Sequence, residues 1–433
     1  MNYIDLFFCA CSILFLLLMF LKKGRHYTVF HPLNIVILTI GFEFIIKFLW
    51  VTFGSPLDTI NLPFTYSLLF ITIVVMTVYF CLFIPETYLF NLTRPRSVDQ
   101  FVISPRTAFF LIFSGFLLNA GFAVISGGSP IYGLQNPIEF RIFMQRNGMF
   151  YVEFLIFFLL IAGMSVISRN AIMNSRLLSM QFIVPYILAI YVALNSGLRG
   201  RVVEVVILPL LVFAIIRNRV PKITLAVLGL VFVPFVVAFG MYRDAVRGNS
   251  LDVGETVDFF SKAFDSSSLD FLPIFLHRFD AFDNFVRVME KGPKEFHYFQ
   301  SFFDFVSQPI PRFIWSNKPN NFTSEMTSQF RPDLFADGIA LTFSAFSESY
   351  LNFGFIFGAI ILGIFVYISV ILLQSLMSRS ESRQSSLIIF CLLYQYPFVA
   401  LSAGFINDVS TVIVILSLAI LGGFRFFSRF RFS

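Results

Sequence analysis

Stretches of about 17 to 22 predominantly apolar residues recur along the chain, beginning near positions 3, 33, 64, 107, 150, 180, 200, 223, 339, 387 and 410. Each is long enough to cross roughly 30 Å of hydrocarbon as a helix. The pattern predicts an all-α polytopic integral membrane protein with about eleven transmembrane helices. One segment interrupts it. Residues 242–337 hold 24 of the 56 charged residues, a density near the soluble average of about one in four. The chain therefore divides into an N-terminal membrane bundle of about eight spans (1–241), a large loop with amphipathic helices (242–337) and a C-terminal bundle of about three spans (338–433).

Overall the chain is 57% apolar, 18% aromatic and only 13% charged, with a mean hydropathy of +0.82. A soluble enzyme, a disordered tail and a coiled coil are excluded together. Cys9, Cys11, Cys81 and Cys391 all lie in apolar runs, so the loop has neither a disulfide framework nor a cysteine zinc site. The first apolar run, Tyr3 to Leu21, has Asp5 and no Lys or Arg ahead of it, and Lys22, Lys23 and Arg25 behind it. A secretory signal has the opposite polarity, so this run is expected to be a retained first span.

Orientation follows from Lys and Arg in alternate connections. Those at 22–26, 86–107, 169–178, 217–222, 375–386 and beyond Gly423 hold sixteen, whereas the other short connections hold only Arg141, Arg146, Arg199 and Arg201. The first set is cytoplasmic by the positive-inside rule, which puts the N-terminus outside, the C-terminus inside and the large loop outside. That loop has ten Lys/Arg against fourteen Asp/Glu, so no nucleic-acid partner is expected. The halves differ in span number and show no repeat, which speaks against the inverted-repeat build of many transporters.

Within the loop, Phe271, Phe275, Phe279, Phe282 and Phe285 recur at helical spacing, with Leu272, Leu276 and Met289 alongside. This is the signature of amphipathic helices. The stripe either lies in the external membrane interface over a lipid-facing opening or caps the ends of the spans. Further on, Pro309, Pro311 and Pro319 forbid a regular helix. An irregular arm is left, holding Arg312 and Lys318 beside Trp315, and it is a candidate site.

Ionisable groups inside spans are functional hypotheses by default. Glu43 and Lys47, four apart, are expected to face each other as a structural pair. The turn Asn195-Ser196-Gly197-Leu198-Arg199-Gly200-Arg201 opens a span from the outer side. Free N–H groups, a positive helix end and two arginines there make an anion site. Gly197 and Gly200 would allow close approach, and Glu204 is within reach of either arginine; snorkelling to lipid head groups is the plain alternative. Glu348 lies where the ninth span opens, and burial there would raise its pKa toward a useful range. Gly354 and Gly358 read as a small-xxx-small packing pair. His26, His31, His277 and His297 show no metal-ligand spacing, and acyl-enzyme and phosphate-loop signatures are absent, so no metal and no cofactor is expected.

Three elements in this order, Ser196-Gly-Leu-Arg199-Gly-Arg201 before a long apolar helix, Ile310-Pro-Arg312-Phe-Ile-Trp315-Ser-Asn-Lys318-Pro319, and Glu348-Ser-Tyr350-Leu-Asn352-Phe-Gly354, resemble the Wzy-type polymerases of bacterial O-antigen and related polysaccharides. The motifs cover roughly residues 190–365, and the topology resembles that family over the whole chain. The resemblance implies a GT-C-like, metal-independent glycosyltransferase of the bacterial inner membrane with its large loop periplasmic. It would transfer the growing glycan from undecaprenyl diphosphate to a lipid-linked repeat unit, and a chain-length regulator would be a partner besides the membrane lipids.

That chemistry needs cations at the departing diphosphate, where preorganised charge is worth several kcal/mol. Arg199, Arg201, Arg312 and Lys318 are the candidates, with Arg278 for a second diphosphate. Arg141 and Arg146 either bind the acceptor's diphosphate or decorate a solvated turn. The attacking hydroxyl needs a proton acceptor, for which Glu348 comes first and His277 second. Two other functions are open: a lipid-linked glycan ligase leaning on an external histidine, and a flippase or transporter using Glu43, Lys47, Glu153 and Asp408.

Overall fold

The computed structural model describes residues 3–22, 30–53, 64–83, 102–146, 150–197, 199–219, 280–292, 301, 315, 322–332, 335, 343–380, 383–394 and 401. All regular structure among them is helical. In chain order the helices are α1 (Tyr3–Lys22), α2 (Pro32–Ile40), a π-helical turn (Gly41–Ile46) leading directly into α3 (Lys47–Phe53), α4 (Thr65–Cys81), α5 (Pro105–Gly127), α6 (Tyr132–Gln135), α7 (Pro137–Arg146) and α8 (Phe150–Met173). They continue with α9 (Met180–Asn195), α10 (Arg199–Arg217), α11 (Asp280–Lys291), α12 (Phe322–Phe330), α13 (Ala345–Phe353), α14 (Phe355–Ser380) and α15 (Gln384–Leu393).

Five stretches are long and apolar enough to cross a membrane: Tyr3–Lys22, Pro32–Trp50, Pro105–Gly127, Leu155–Met173 and Phe355–Ser380. The helices α4, α9 and α15 are shorter apolar ones. This is the make-up of a helical membrane protein. The runs expected from 223 and 410 lie outside the described residues.

The described helices fall into two compact units, one of α1–α4, α11–α13 and most of α14, the other of α5–α10 and α15. In the first, α1 buries Asp5, Cys9, Ser12, Leu16 and Met19, spaced by three and four so that they form one face. Its other side leaves Phe7, Leu14, Leu17 and Leu21 exposed, as suits a helix facing lipid. Polar groups on the buried face are paired with α4: Ser12 with Thr72 at 2.9 Å, and Asp5 with the Thr65 hydroxyl.

The centre of this unit is aromatic. Phe44, Phe48, Phe70, Phe282, Phe285 and Phe346 are fully buried, and their rings meet across helices, Phe44 on Phe346 at 4.2 Å and Phe70 on Phe285 at 5.4 Å. Within an apolar body such rings associate by close packing, and each ring pair contributes about 0.5–1.5 kcal/mol through its geometry. Phe282 and Phe285 come from the hydrophilic loop. Of the two readings of the phenylalanine stripe, the described part therefore follows the packed cap, while Phe271, Phe275 and Phe279 lie outside the described residues.

Lys47, expected to face Glu43, has a further partner that the four-residue spacing does not give. Its ammonium lies 3.1 Å from the Asp283 carboxylate on α11. A π-turn bonds residues five apart rather than four, which shifts the phase of everything after Ile46 relative to α-helical spacing. Glu43 and Lys47 are both buried.

In the second unit, α8 packs closely on α5 because Gly163 leaves room: a Cβ there would come within 2.7 Å of the Ala108 carbonyl and the Ile112 side chain. Arg217, closing α10, donates to the Ile172 carbonyl at 2.9 Å, satisfying one of the orphan acceptors at the end of α8. Gln384 on α15 pairs its amide with both backbone groups of Ile103.

Removing Lys47 leaves the largely buried Asp283 carboxylate without its cation, which costs about 3 kcal/mol, whereas replacing both members with apolar groups leaves neither charge of the pair behind. Lys47→Ala should therefore melt well below wild type in detergent, and Lys47→Met with Asp283→Leu should melt closer to wild type than either single variant.

Candidate functional site

Two polar centres are built into these units, one at the start of α10 and one along α13. The first begins with Gly197, whose φ of +68° ends α9. That backbone suits glycine, and space demands it too, since a Cβ would lie 2.6 Å from the Pro137 Cβ. Asn195, 1% exposed, is the joint. Its Nδ2 donates to Asn119 Oδ1 on α5 at 2.6 Å and to the Pro130 carbonyl at 3.1 Å, and its Oδ1 accepts from the Leu134 N–H at 3.0 Å. The Tyr191 hydroxyl donates to the same Pro130 carbonyl.

These bonds fasten the 128–136 loop to the turn between α9 and α10. The helix carrying Arg141 and Arg146 begins at Pro137, against Gly197 and two residues before Arg199. The structure thus brings the backbones of both arginine-bearing segments into one neighbourhood. Beside them the Tyr132 hydroxyl donates to Glu139 at 2.8 Å, and burial, followed by that carboxylate, pushes the phenol above its ordinary range.

Arg201 is 3% exposed. Its guanidinium donates to Glu204 at 3.0 Å and lies over the Phe157 ring at 4.3 Å from the centroid. The pairing with Glu204 is as the spacing suggests, and a buried arginine does not snorkel to head groups. A cation near a helix N-terminus is disfavoured by the dipole, typically by about 0.3–1 kcal/mol. Glu204 and the ring offset that, and an incoming anion would meet a guanidinium already held in place. Gly200, by contrast, faces open space, with no close approach to it among the described residues.

The second centre is α13. Ser344 caps it by accepting from the Ser347 N–H at 3.3 Å. The helix is buried on almost every side, so Ser347, Glu348, Ser349 and Asn352 all lie inside, with Glu348 2% exposed. The expected ninth span does not open with these residues. Gly354, at φ +75°, ends α13, and α14 starts afresh at Phe355. Gly358 then packs against the α13 backbone, where a Cβ would be 2.6 Å from the Ser349 carbonyl oxygen. The two glycines therefore make a break and a fold-back rather than one packing stripe.

Of the other candidates, Arg199, Arg141 and Arg146 are placed by their backbones in α10 and α7, and Arg278, His277, Arg312 and Lys318 lie outside the described residues. Trp315 is exposed. Among the described residues no group of three or more His, Cys, Asp or Glu side chains could hold a metal. Sequence reasoning gave no role to Asn119, Asn195 or Phe157. Two amides inside apolar runs were the available signal for the first two, because polar side chains in spans bond across helices; nothing marked Phe157 among the 62 phenylalanines.

Gly197→Ala should lower the melting point by several degrees and weaken any function of the arginine turn, since both its φ and its space forbid a methyl group. Gly200→Ala, helical and unobstructed, should leave the melting point unchanged or raise it, by up to about 1 kcal/mol of stability.

Comparison with protein-family models, with curated proteins and with solved structures finds no match to this chain.

Proposed function

We propose that this chain is a metal-independent, Wzy-type glycosyltransferase of the bacterial inner membrane. It polymerises polysaccharide repeat units carried on undecaprenyl diphosphate at the periplasmic face. The observation that carries the reading is Arg201, buried in the first turn of α10 and held by Glu204 and Phe157, beside the start of the helix that bears Arg141 and Arg146. A structural arginine has no need of the one helix end that repels it. An arginine that grips phosphate gains there, because the free N–H groups and the dipole favour the same ligand.

In the reaction, the hydroxyl oxygen of the lipid-linked acceptor attacks the anomeric carbon of the donor glycan. The bond from that carbon to the diphosphate oxygen breaks, and undecaprenyl diphosphate leaves with the electron pair. Arg201 and Arg199 take up the charge that develops on the leaving oxygen, with Arg312 and Lys318 as further cations and Arg141, Arg146 and Arg278 for the acceptor's diphosphate. The hydroxyl proton needs a carboxylate or a neutral imidazole to accept it, for which Glu348, kept out of water on α13, and His277 are the candidates. Fixed donors aimed at developing charge are usually the largest single contribution to such a barrier.

The test is purified protein with lipid-linked repeat units, read as a ladder on a gel. Arg199→Ala and Arg201→Lys should each slow chain extension by about a hundredfold or more with expression unchanged, lysine being a point charge without the two-pronged grip. A full-length ladder from both variants would refute the assignment. Added chelator should change nothing, and strong inhibition by it would remove the metal-free mechanism.

A further inference from the structure

The α13 centre holds an oxygen that this chemistry has not used. Asn352 is 1% exposed. Its Nδ2 donates twice, to Ser301 Oγ at 2.7 Å and to the Glu348 carbonyl at 2.8 Å. A backbone carbonyl can only accept, so the nitrogen must face it and the amide orientation is fixed. Oδ1 is then left as a buried acceptor that takes no hydrogen bond among the described residues, carrying a desolvation cost with nothing to offset it.

The position of that oxygen gives it a meaning. Asn352 is one helical turn from Glu348, on the same face. On α11, which packs on α13, Asp283 uses Oδ2 on Lys47 and also leaves a buried Oδ1 without a hydrogen bond among the described residues. Carboxylate and amide oxygens held without matching donors repel a phosphate and suit a neutral group rich in O–H donors, which is the chemistry of a sugar ring.

We propose that Asn352 Oδ1 is the specificity contact of a carbohydrate subsite: it accepts a hydrogen bond from a hydroxyl on the terminal sugar of the incoming repeat unit, beside the hydroxyl that Glu348 meets. The subsite deepens the glycosyltransferase reading and rests on it for the identity of the sugar's carrier.

The experiment uses the full chain in nanodiscs. One probe is the repeat-unit oligosaccharide released from its lipid by mild acid, with affinity read by thermophoresis; the second measurement is KM for the intact lipid-linked unit. Asn352→Leu, nearly the same size, should weaken oligosaccharide binding and raise KM by tenfold or more, equivalent to about 1.4 kcal/mol. Asn352→Asp keeps an acceptor and loses both donors, and should stay within threefold of wild type. Ser301→Ala, which removes one brace and leaves Oδ1, should do the same and serves as the comparison least able to disturb folding. If Asn352 merely braces the helix, Asn352→Asp loses affinity as Asn352→Leu does, and that result overturns the subsite. Unchanged binding in Asn352→Leu, or no binding of the oligosaccharide by wild type, overturns it as well. Wild type that binds the sugar but makes no ladder sinks the polymerase reading and leaves the subsite standing; wild type that makes ladders while Asn352→Leu leaves KM unchanged sinks only the subsite.

Discussion

An apolar helical body offers no water to a polar side chain, so whatever polar chemistry it contains must be solvated by the protein itself. That constraint runs through every centre described above. Asn195 spends its amide on Asn119, Pro130 and Leu134; Lys47 reaches Asp283; Arg201 is held between a carboxylate and a ring. In each case the partner comes from another helix, a loop or the next turn, and the same bond that solvates the group also fixes it in space. Positioning is thus a by-product of solvation, and a catalyst of charged leaving groups can use it directly, because donors already oriented need no rearrangement as charge appears.

How much of this is legible in the sequence depends on the range of the interaction. Local signals read well. The long apolar runs beginning near positions 3, 33, 107 and 150 show up as helices long enough to span a bilayer, and Glu204, within reach of either Arg199 or Arg201, pairs with Arg201. Interactions across helices are hidden, since nothing in the order of residues tells Lys47 that its partner is Asp283, more than two hundred positions away. Counting by four from Glu43 arrives at Lys47 but gives no sign of the carboxylate on α11 that also meets it. Gly354 and Gly358 misread for a related reason, because the spacing of a packing stripe and that of a chain break followed by a fold-back are the same four residues.

The loop is the other instructive case. A hydrophilic segment with a phenylalanine stripe has two physical outlets, lipid or protein, and composition cannot choose between them. The choice is made by the aromatic surface already waiting in α2 through α4, where Phe44, Phe48 and Phe70 need rings to pack against and find Phe282 and Phe285. Burying Phe282 and Phe285 also carries Asp283 to Lys47, so an apolar contact and an ionic one set the register of α11 jointly.

The π-turn at Gly41–Ile46 has a consequence of its own. Such a turn is an α-helix with one residue too many, and each residue in a helix stands for about 100° of rotation. The direction in which α3 presents its side chains therefore hangs on a single surplus position. A one-residue insertion or deletion in this stretch acts as a phase error for everything that follows, swinging Lys47 to a different compass bearing while leaving length and hydrophobicity almost untouched.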